Sequence, residues 1–363
     1  TLQPDGKVVL VGTDWHDSNF DNRDFVLARY LGDAVSSTLL VTKTADTNDG
    51  VCATDCSLRE AIAVADVGDT INFDPSLAGQ TITLSSTLVI DRDLTIDGSA
   101  LPSMVNISGD NRLRVLEVGQ GKNLTLKGLV IKQGKPGIYN NSGTVNLIDS
   151  TISGNTSSMG AGINNQRGTL DITGSAFLNN SALNNGGGIY NYMGTVLIAD
   201  STFHNNSAYF FGGGIMNYEG ALEIETSTFS NNRTTFKEDV GYGGGAIYSG
   251  GPLSISNSLV YNNSARDGGG IFQDTGLLTL INSTIADNSA SNIGGGVYAG
   301  NYSSVDIKNG TLSGNSAVGS GGNGMVGAGV GGSGVAAGAQ ALKISALRTR
   351  TPIKSQIDDL LDI

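Results

Sequence analysis

The stretch that decides the fold is Gly188-Ile189-Tyr190-Asn191-Tyr192, continued by Thr195-Val196-Leu197-Ile198 and by Ser201-Thr202-Phe203-His204-Asn205-Asn206. Each piece is short, alternates apolar with polar residues, and is bounded by Gly, Asn or Ser. These are strand and turn signals, not helix signals. The first piece returns as Gly137-Ile138-Tyr139-Asn140-Asn141, as Gly214-Ile215-Met216-Asn217-Tyr218 and as Gly296-Val297-Tyr298-Ala299. Its first apolar residue falls at 138, 163, 189, 215, 247, 271 and 297, in steps of 25, 26, 26, 32, 24 and 26 residues. Three short strands in about 25 residues is the arithmetic of one coil of an all-β solenoid, a right-handed single-stranded parallel β-helix.

Writing the coils beneath one another predicts ladders. The third strand points Ile152, Phe177, Phe203, Phe229, Val260, Ile285 and Leu312 inward. The second strand supplies two columns, from Val145 to Val305 and from Leu147 to Ile307. Like stacks on like at a rung spacing of ~4.8 Å, so a dry core forms although no coil is stable alone. A polar column of Asn155, Asn180, Asn206, Asn232, Asn263, Asn288 and Asn315 runs beside it. An amide both donates and accepts, so stacked Asn can bond from rung to rung, and Asn also tolerates left-handed turns. A Ser column from Ser150 to Ser283 marks another corner, and Gly-Gly pairs at 186–187, 212–213, 243–244, 268–269 and 294–295 allow the bend that restarts each coil.

The 363-residue chain has 53 Gly, 39% hydrophobic and 15% charged residues, which is too apolar for disorder. No apolar run reaches the ~18 residues of a membrane helix, so no membrane insertion by this segment is expected. A net charge of −12 argues against nucleic acid and anionic membrane as partners. Two His and two Cys leave no metal site or other cofactor expected. The opening residues carry no signal-peptide pattern, so the chain reads as a mature piece or a fragment of a larger protein.

The chain divides into four parts. Residues 1–37 are a partial β-repeat and linker. Residues 38–136 hold a cap and irregular first rungs, 137–317 the regular coils, and 318–363 a Gly-rich linker and atypical tail. Within the cap, Ser57-Leu58-Arg59-Glu60-Ala61-Ile62-Ala63-Val64-Ala65 reads as a short N-terminal capping helix, with Ser57 as N-cap and Glu60 at N3. Such a helix closes the open end of the first coil. Cys52 and Cys56 are spaced for a small disulfide that would pin this cap. In the tail, Leu342, Ile344, Leu347, Ile353, Ile357, Leu360 and Leu361 suit either a short helical closing segment or a reading-frame or cloning junction.

Cys56-Ser57-Leu58-Arg59-Glu60-Ala61, with Asp46-Thr47-Asn48-Asp49-Gly50 before it and Gly68-Asp69-Thr70-Ile71 after it, resembles the motif of the CSLREA domain. The Gly-Gly-Gly-Ile-Tyr-Asn coils resemble the right-handed β-helix proteins that accompany that domain, and the repeats of polymorphic outer-membrane proteins. Leu2-Gln3-Pro4-Asp5-Gly6-Lys7 with Phe25-Val26-Leu27-Ala28-Arg29-Tyr30 resembles the end of a delta-60 repeat. These resemblances imply an extracellular or cell-surface bacterial protein, structural or adhesive.

Function must lie on outward positions. Tyr139, Tyr190, Tyr248, Phe272 and Tyr298 fall on the outer face of the first strand, with Tyr192 and Tyr218 two positions on. Stacked rings suit sugars, so a polysaccharide or cell-surface glycan is the expected partner. The one long coil inserts Lys237, Glu238, Asp239 and Tyr242 beside that column, where solenoids often place binding loops. No catalytic residue is expected. The alternative is a carbohydrate-active hydrolase or lyase using the outward carboxylates Asp171, Glu223, Asp200 and Glu225, the first two about 9–10 Å apart by rung spacing.

Overall fold

The computed structural model describes residues 38–236 and 242–318, together with the short strands Val8–Thr13, Phe25–Tyr30, Met325–Val326, Val335–Ala336 and Leu342–Ser345. The coils wind into a parallel β-helix of about nine turns and ~26 residues per turn. In a representative coil the first strand is Ile189–Tyr192 and the second is Thr195–Ala199. The third is Thr202–His204, and a fourth strand absent from the expectation is Ser207–Ala208. First and second strands share one sheet, third strands form another, and fourth strands form a third.

Pairing from coil to coil is parallel and in register. Phe177 faces Phe203, which faces Phe229; Leu170 faces Val196, which faces Leu222. All the predicted inward columns are buried in one apolar cluster that runs from Val41 to Leu312. The Phe177, Phe203 and Phe229 rings stack almost parallel at 4.4 and 4.6 Å. Offset stacking of this kind adds about 0.5–1.5 kcal/mol per pair beyond the area buried.

The asparagine column is a hydrogen-bonded ladder. The Nδ2 group of Asn180 donates to Oδ1 of Asn206 at 2.9 Å, that of Asn206 to Asn232 at 3.0 Å, and that of Asn232 to Asn263 at 3.0 Å. The remaining Nδ2 hydrogen of Asn206 reaches the carbonyl of Phe177 at 2.8 Å, and its backbone N–H donates to Asn232 Oδ1 at 3.0 Å. The interior amides of this column are therefore fully used, as polar groups sealed in an apolar core require. The left-handed turn belongs to the preceding residue: Asn205 has φ 55° and Asn179 φ 56°, so adjacent asparagines divide the two tasks. A second ladder runs at another corner, with Asn140, Asn165, Asn191 and Asn217 joined at 2.7 Å per rung. The serine corner is also bonded, the N–H of Ser201 donating to Ser227 Oγ at 3.0 Å. Gly212 sits at φ +60°, and a Cβ on Gly213 would run into the backbone oxygens of Gly245 and Arg233.

At the N-terminal end, α1 (Leu58–Val64) covers the first coil with Leu58, Ala61 and Ile62 buried. The capping box forms: Ser57 Oγ accepts from Glu60 N–H, and Glu60 Oε2 accepts from Ser57 N–H at 2.7 Å. The Glu60 carboxylate is shut away from solvent, and also accepts from Thr47 Oγ1 at 2.8 Å and pairs with Lys43 Nζ at 3.3 Å. These donors, the Ser57 N–H first, hold its pKa down to about 2 against the cost of burial. Arg59 grips Asp46 through two bonds of 2.9 and 2.8 Å, and Cys52 is joined to Cys56 by a disulfide.

At the other end the tail departs from expectation. Residues 342–345 are an extended strand, not part of a helical segment, and lie antiparallel on Ser304, Val305, Asp306 and Ile307. Val335–Ala336 likewise pairs antiparallel with Leu312 and Thr311. The last coil offers an unpaired edge of N–H and C=O groups, and these strands satisfy part of it. Leu347 and Ile357 lie outside the described residues.

Two outcomes follow for stability. Phe203→Ala should cost about 3–5 kcal/mol. Asn206→Ala should cost about 1–3 kcal/mol, because it orphans its neighbours' amides, whereas Asn205→Gly should change little. Equal melting for the Asn206 and Asn205 variants would contradict the ladder. The second outcome concerns pH. Glu60 has a folded pKa of about 2, below its ordinary value of 4.5, so its stabilisation is complete above pH 4.5 and is lost as pH falls towards 2. Glu60→Gln should flatten the acid limb of melting temperature against pH between about 4.5 and 2.

Candidate functional site

The aromatic column does not form an exposed platform. Tyr190, Met216, Tyr248 and Phe272 follow one another in register on the outer side of the first strands, yet Tyr190 is 1% exposed and the other three are 0% exposed. A second apolar cluster covers them, to which Phe211 and Tyr218 belong and against which Phe210 and Tyr242 pack. The Phe211 ring lies 4.5 Å from Tyr248 and 5.1 Å from Tyr242, and Phe236 closes on Tyr242 at 4.8 Å. These rings come from the residues after the fourth strand and from the long coil, which fold back over the first-strand face. Of the four tyrosines expected to bind a glycan, Tyr190 and Tyr218 are therefore buried, while Tyr192 and Tyr242 are half-buried. Tyr192 stacks on Tyr218 at 5.5 Å, with the Arg167 guanidinium 5.2 Å above it. Lys237, Glu238 and Asp239 lie outside the described residues.

Burial shapes the chemistry of this cluster. The Tyr190 hydroxyl is sealed without a hydrogen-bond partner, and desolvation raises its pKa. Tyr248 is raised for the same reason and donates to Asp274 Oδ2 at 2.9 Å. Asp274 is itself raised by burial, which outweighs the bond from Tyr248. Each of these shifts favours the neutral form of its group.

The outward carboxylates stand apart. Asp171, Leu197 and Glu223 occupy one column, so the two acids are two rungs from each other. Asp200 sits at a left-handed turn with φ 50°, and Glu225 is two residues along from Glu223. All four acids are exposed. A shallow groove of about 290 Å³ crosses four coils on this face, lined by Leu197, Ala221, Glu223, Pro252 and Leu277 among others, and Glu223 is its one carboxylate. Acid–base catalysis needs two groups brought together in different environments, and this groove brings together one. His204 lies on the third-strand sheet, its Nδ1 2.8 Å from Ser230 Oγ. Among the described residues no three His, Cys, Asp or Glu side chains gather as a metal site would need, and no helix is long and apolar enough to cross a membrane.

The second asparagine ladder and the covering aromatics are what sequence reasoning missed. The signal for the first was present in the recurring Ile-Tyr-Asn unit, whose Asn occupies an inward position. The signal for the second was Tyr209-Phe210-Phe211, three aromatic residues in a row where the preceding coil has Leu183-Asn184-Asn185.

Together the continuous core and the bonded ladders define a parallel β-helix solenoid with satisfied corners. A family model of the Chlamydia polymorphic membrane protein repeat matches residues 174–192 and 226–250. The first match runs from the third strand through ladder Asn180 and the fourth strand to Gly186, Gly187 and the first strand of the next coil. The chain is thus similar to that repeat in the elements that make coils stack. No curated protein matches the chain.

Tyr190 supplies a direct check on the buried cluster. Tyr190→Phe should leave melting unchanged or raise it slightly, since it removes an unpaired buried hydroxyl. Tyr190→Ala should cost about 3–5 kcal/mol by thermal or chemical unfolding. A harmless Tyr190→Ala would mean that the ring faces solvent.

Proposed function

We propose that this chain is a rigid structural module of a bacterial surface protein, of the kind that carries polymorphic membrane protein repeats in an autotransporter-type assembly. The observation that supports it is the uninterrupted stack itself. One apolar cluster runs from Val41 to Leu312, flanked by hydrogen-bonded Asn and Ser columns, and capped at its start by α1. About nine coils at ~4.8 Å each give a rod roughly 43 Å long, which displays outward side chains at fixed spacing. The similarity of two coils to the Chlamydia repeat supports an outer-membrane or surface location. The glycan partner expected from the outer aromatic column loses its main support, because Tyr190 and Tyr218 are covered. The scattered carboxylates favour a scaffold over a hydrolase or lyase.

The test joins location to rigidity. In the cells that make the protein, a membrane-impermeant amine label or added protease should modify it on intact cells. The purified chain should scatter X-rays as a rod and should release no new reducing ends from a polysaccharide panel. Protection of the chain on intact cells, or turnover that Glu223→Gln abolishes, would contradict the proposal.

A further inference from the structure

The groove around Glu223 has a composition that the stacking of coils does not require. Along the outer face of the second strands the neighbouring column reads Thr144, Thr169, Thr195 and then Ala221, before Pro252 and Leu277 in the next coils. Small Ala221 and the ring of Pro252 leave a depression where threonines stood. Leu197 and Leu277 flank it at 38% and 45% exposure. Glu223 projects between them, and neither Glu223, Glu225 nor Asp171 has a cationic partner among the described residues. Other acids of the surface, such as Asp91 and Asp110, are paired with Arg92 and Arg112, and Glu223 differs from the lone acids at turns, such as Asp200 and Asp287, in standing within a groove. An aliphatic depression around a carboxylate fits a Lys or Arg side chain, whose methylene stem packs on apolar walls while its charged head meets the acid.

We propose that this groove docks an extended basic segment of a partner polypeptide, with one cationic side chain seated against Glu223 between Leu197 and Leu277. Asp171 lies two rungs away in the same column, which is about 10 Å. An extended chain with three residues per turn advances roughly 9 Å in three residues, so a second cation three positions away reaches Asp171. Glu225, beside Glu223 on the same strand, adds to the field that draws the segment in. The whole chain, at net charge −12, favours cationic over acidic partners, and the groove supplies the place.

The test uses the full chain and a fluorescein-labelled peptide with Lys at every third position between Gly residues, followed by fluorescence anisotropy. Binding should saturate, and it should weaken as salt shortens the reach of the charges. Glu223→Gln should lower affinity roughly fivefold, and Leu277→Ser should lower it too. Asp287→Asn removes one exposed charge at a turn position where other coils carry Asn, and it should bind like the parent. All three positions are exposed, and matching melting curves would confirm intact folds. Equal losses in the Glu223 and Asp287 variants would show general attraction to an acidic rod and overturn the site. So would the absence of saturable binding, equal binding of a Ser-for-Lys peptide, or displacement of the peptide by neutral dextran.

Discussion

The rest of this structure depends on an amide buried in an apolar core and satisfied by the same amide one coil away. Asn206 cannot be dehydrated alone, because its side chain has two donor hydrogens and an acceptor to place. In the solenoid, all are met by Asn232, Asn180 and the carbonyl of Phe177. The arrangement works only when coils are in register, so the ladder converts a requirement for hydrogen bonding into a requirement for alignment. Slippage by one residue would set Asn206 beside Asn231 or Arg233 instead of Asn232, breaking the ladder, and would turn the Phe177, Phe203 and Phe229 column away from the core. Apolar stacking supplies most of the driving force, and the ladders fix which stack forms.

This explains which features were legible in the sequence. The inward columns and the Asn and Ser corners appear as repeated residues, because a neighbour one coil away imposes the same geometry, and the capping box appears in the local spacing of Ser57 and Glu60. The covering of Tyr190 and Tyr248 was hidden. Alternation shows that these rings point away from the main core, but it cannot show that Phe211 and Tyr242 fold over them. The fourth strand was hidden too, since a two-residue strand such as Ser207–Ala208 is too short to show alternation. The tail strands fall where the sequence suggested a linker followed by either a helical closing segment or a junction, because Gly-rich sequence has no alternation, and they pair with the open edge of the last coil.

The candidate sites divide along the same line. Where the outer face is covered, as beside the long coil, aromatic residues serve packing and their hydroxyls are pushed towards neutrality by burial. Where it is open, each coil contributes one or two solvated side chains, and a site arises only when adjacent coils depart from the repeat. Ala221, Pro252 and Leu277 are such departures, and they surround Glu223. A solenoid can thus vary its surface one rung at a time without disturbing the columns beneath.

The most direct measurement is the deletion of one complete coil, residues 189–214, which joins Gly188 to Ile215 and so preserves the local sequence on both sides. If register between like residues is what holds the fold, Asn180 then bonds Asn232 and Phe177 stacks on Phe229. The shortened chain should melt cooperatively, with X-ray scattering from a rod shorter by ~4.8 Å. A 13-residue deletion starting at the same point is the paired comparison, and it should unfold the central coils. Collapse of the whole-coil deletion, or equal tolerance of both, would contradict the account.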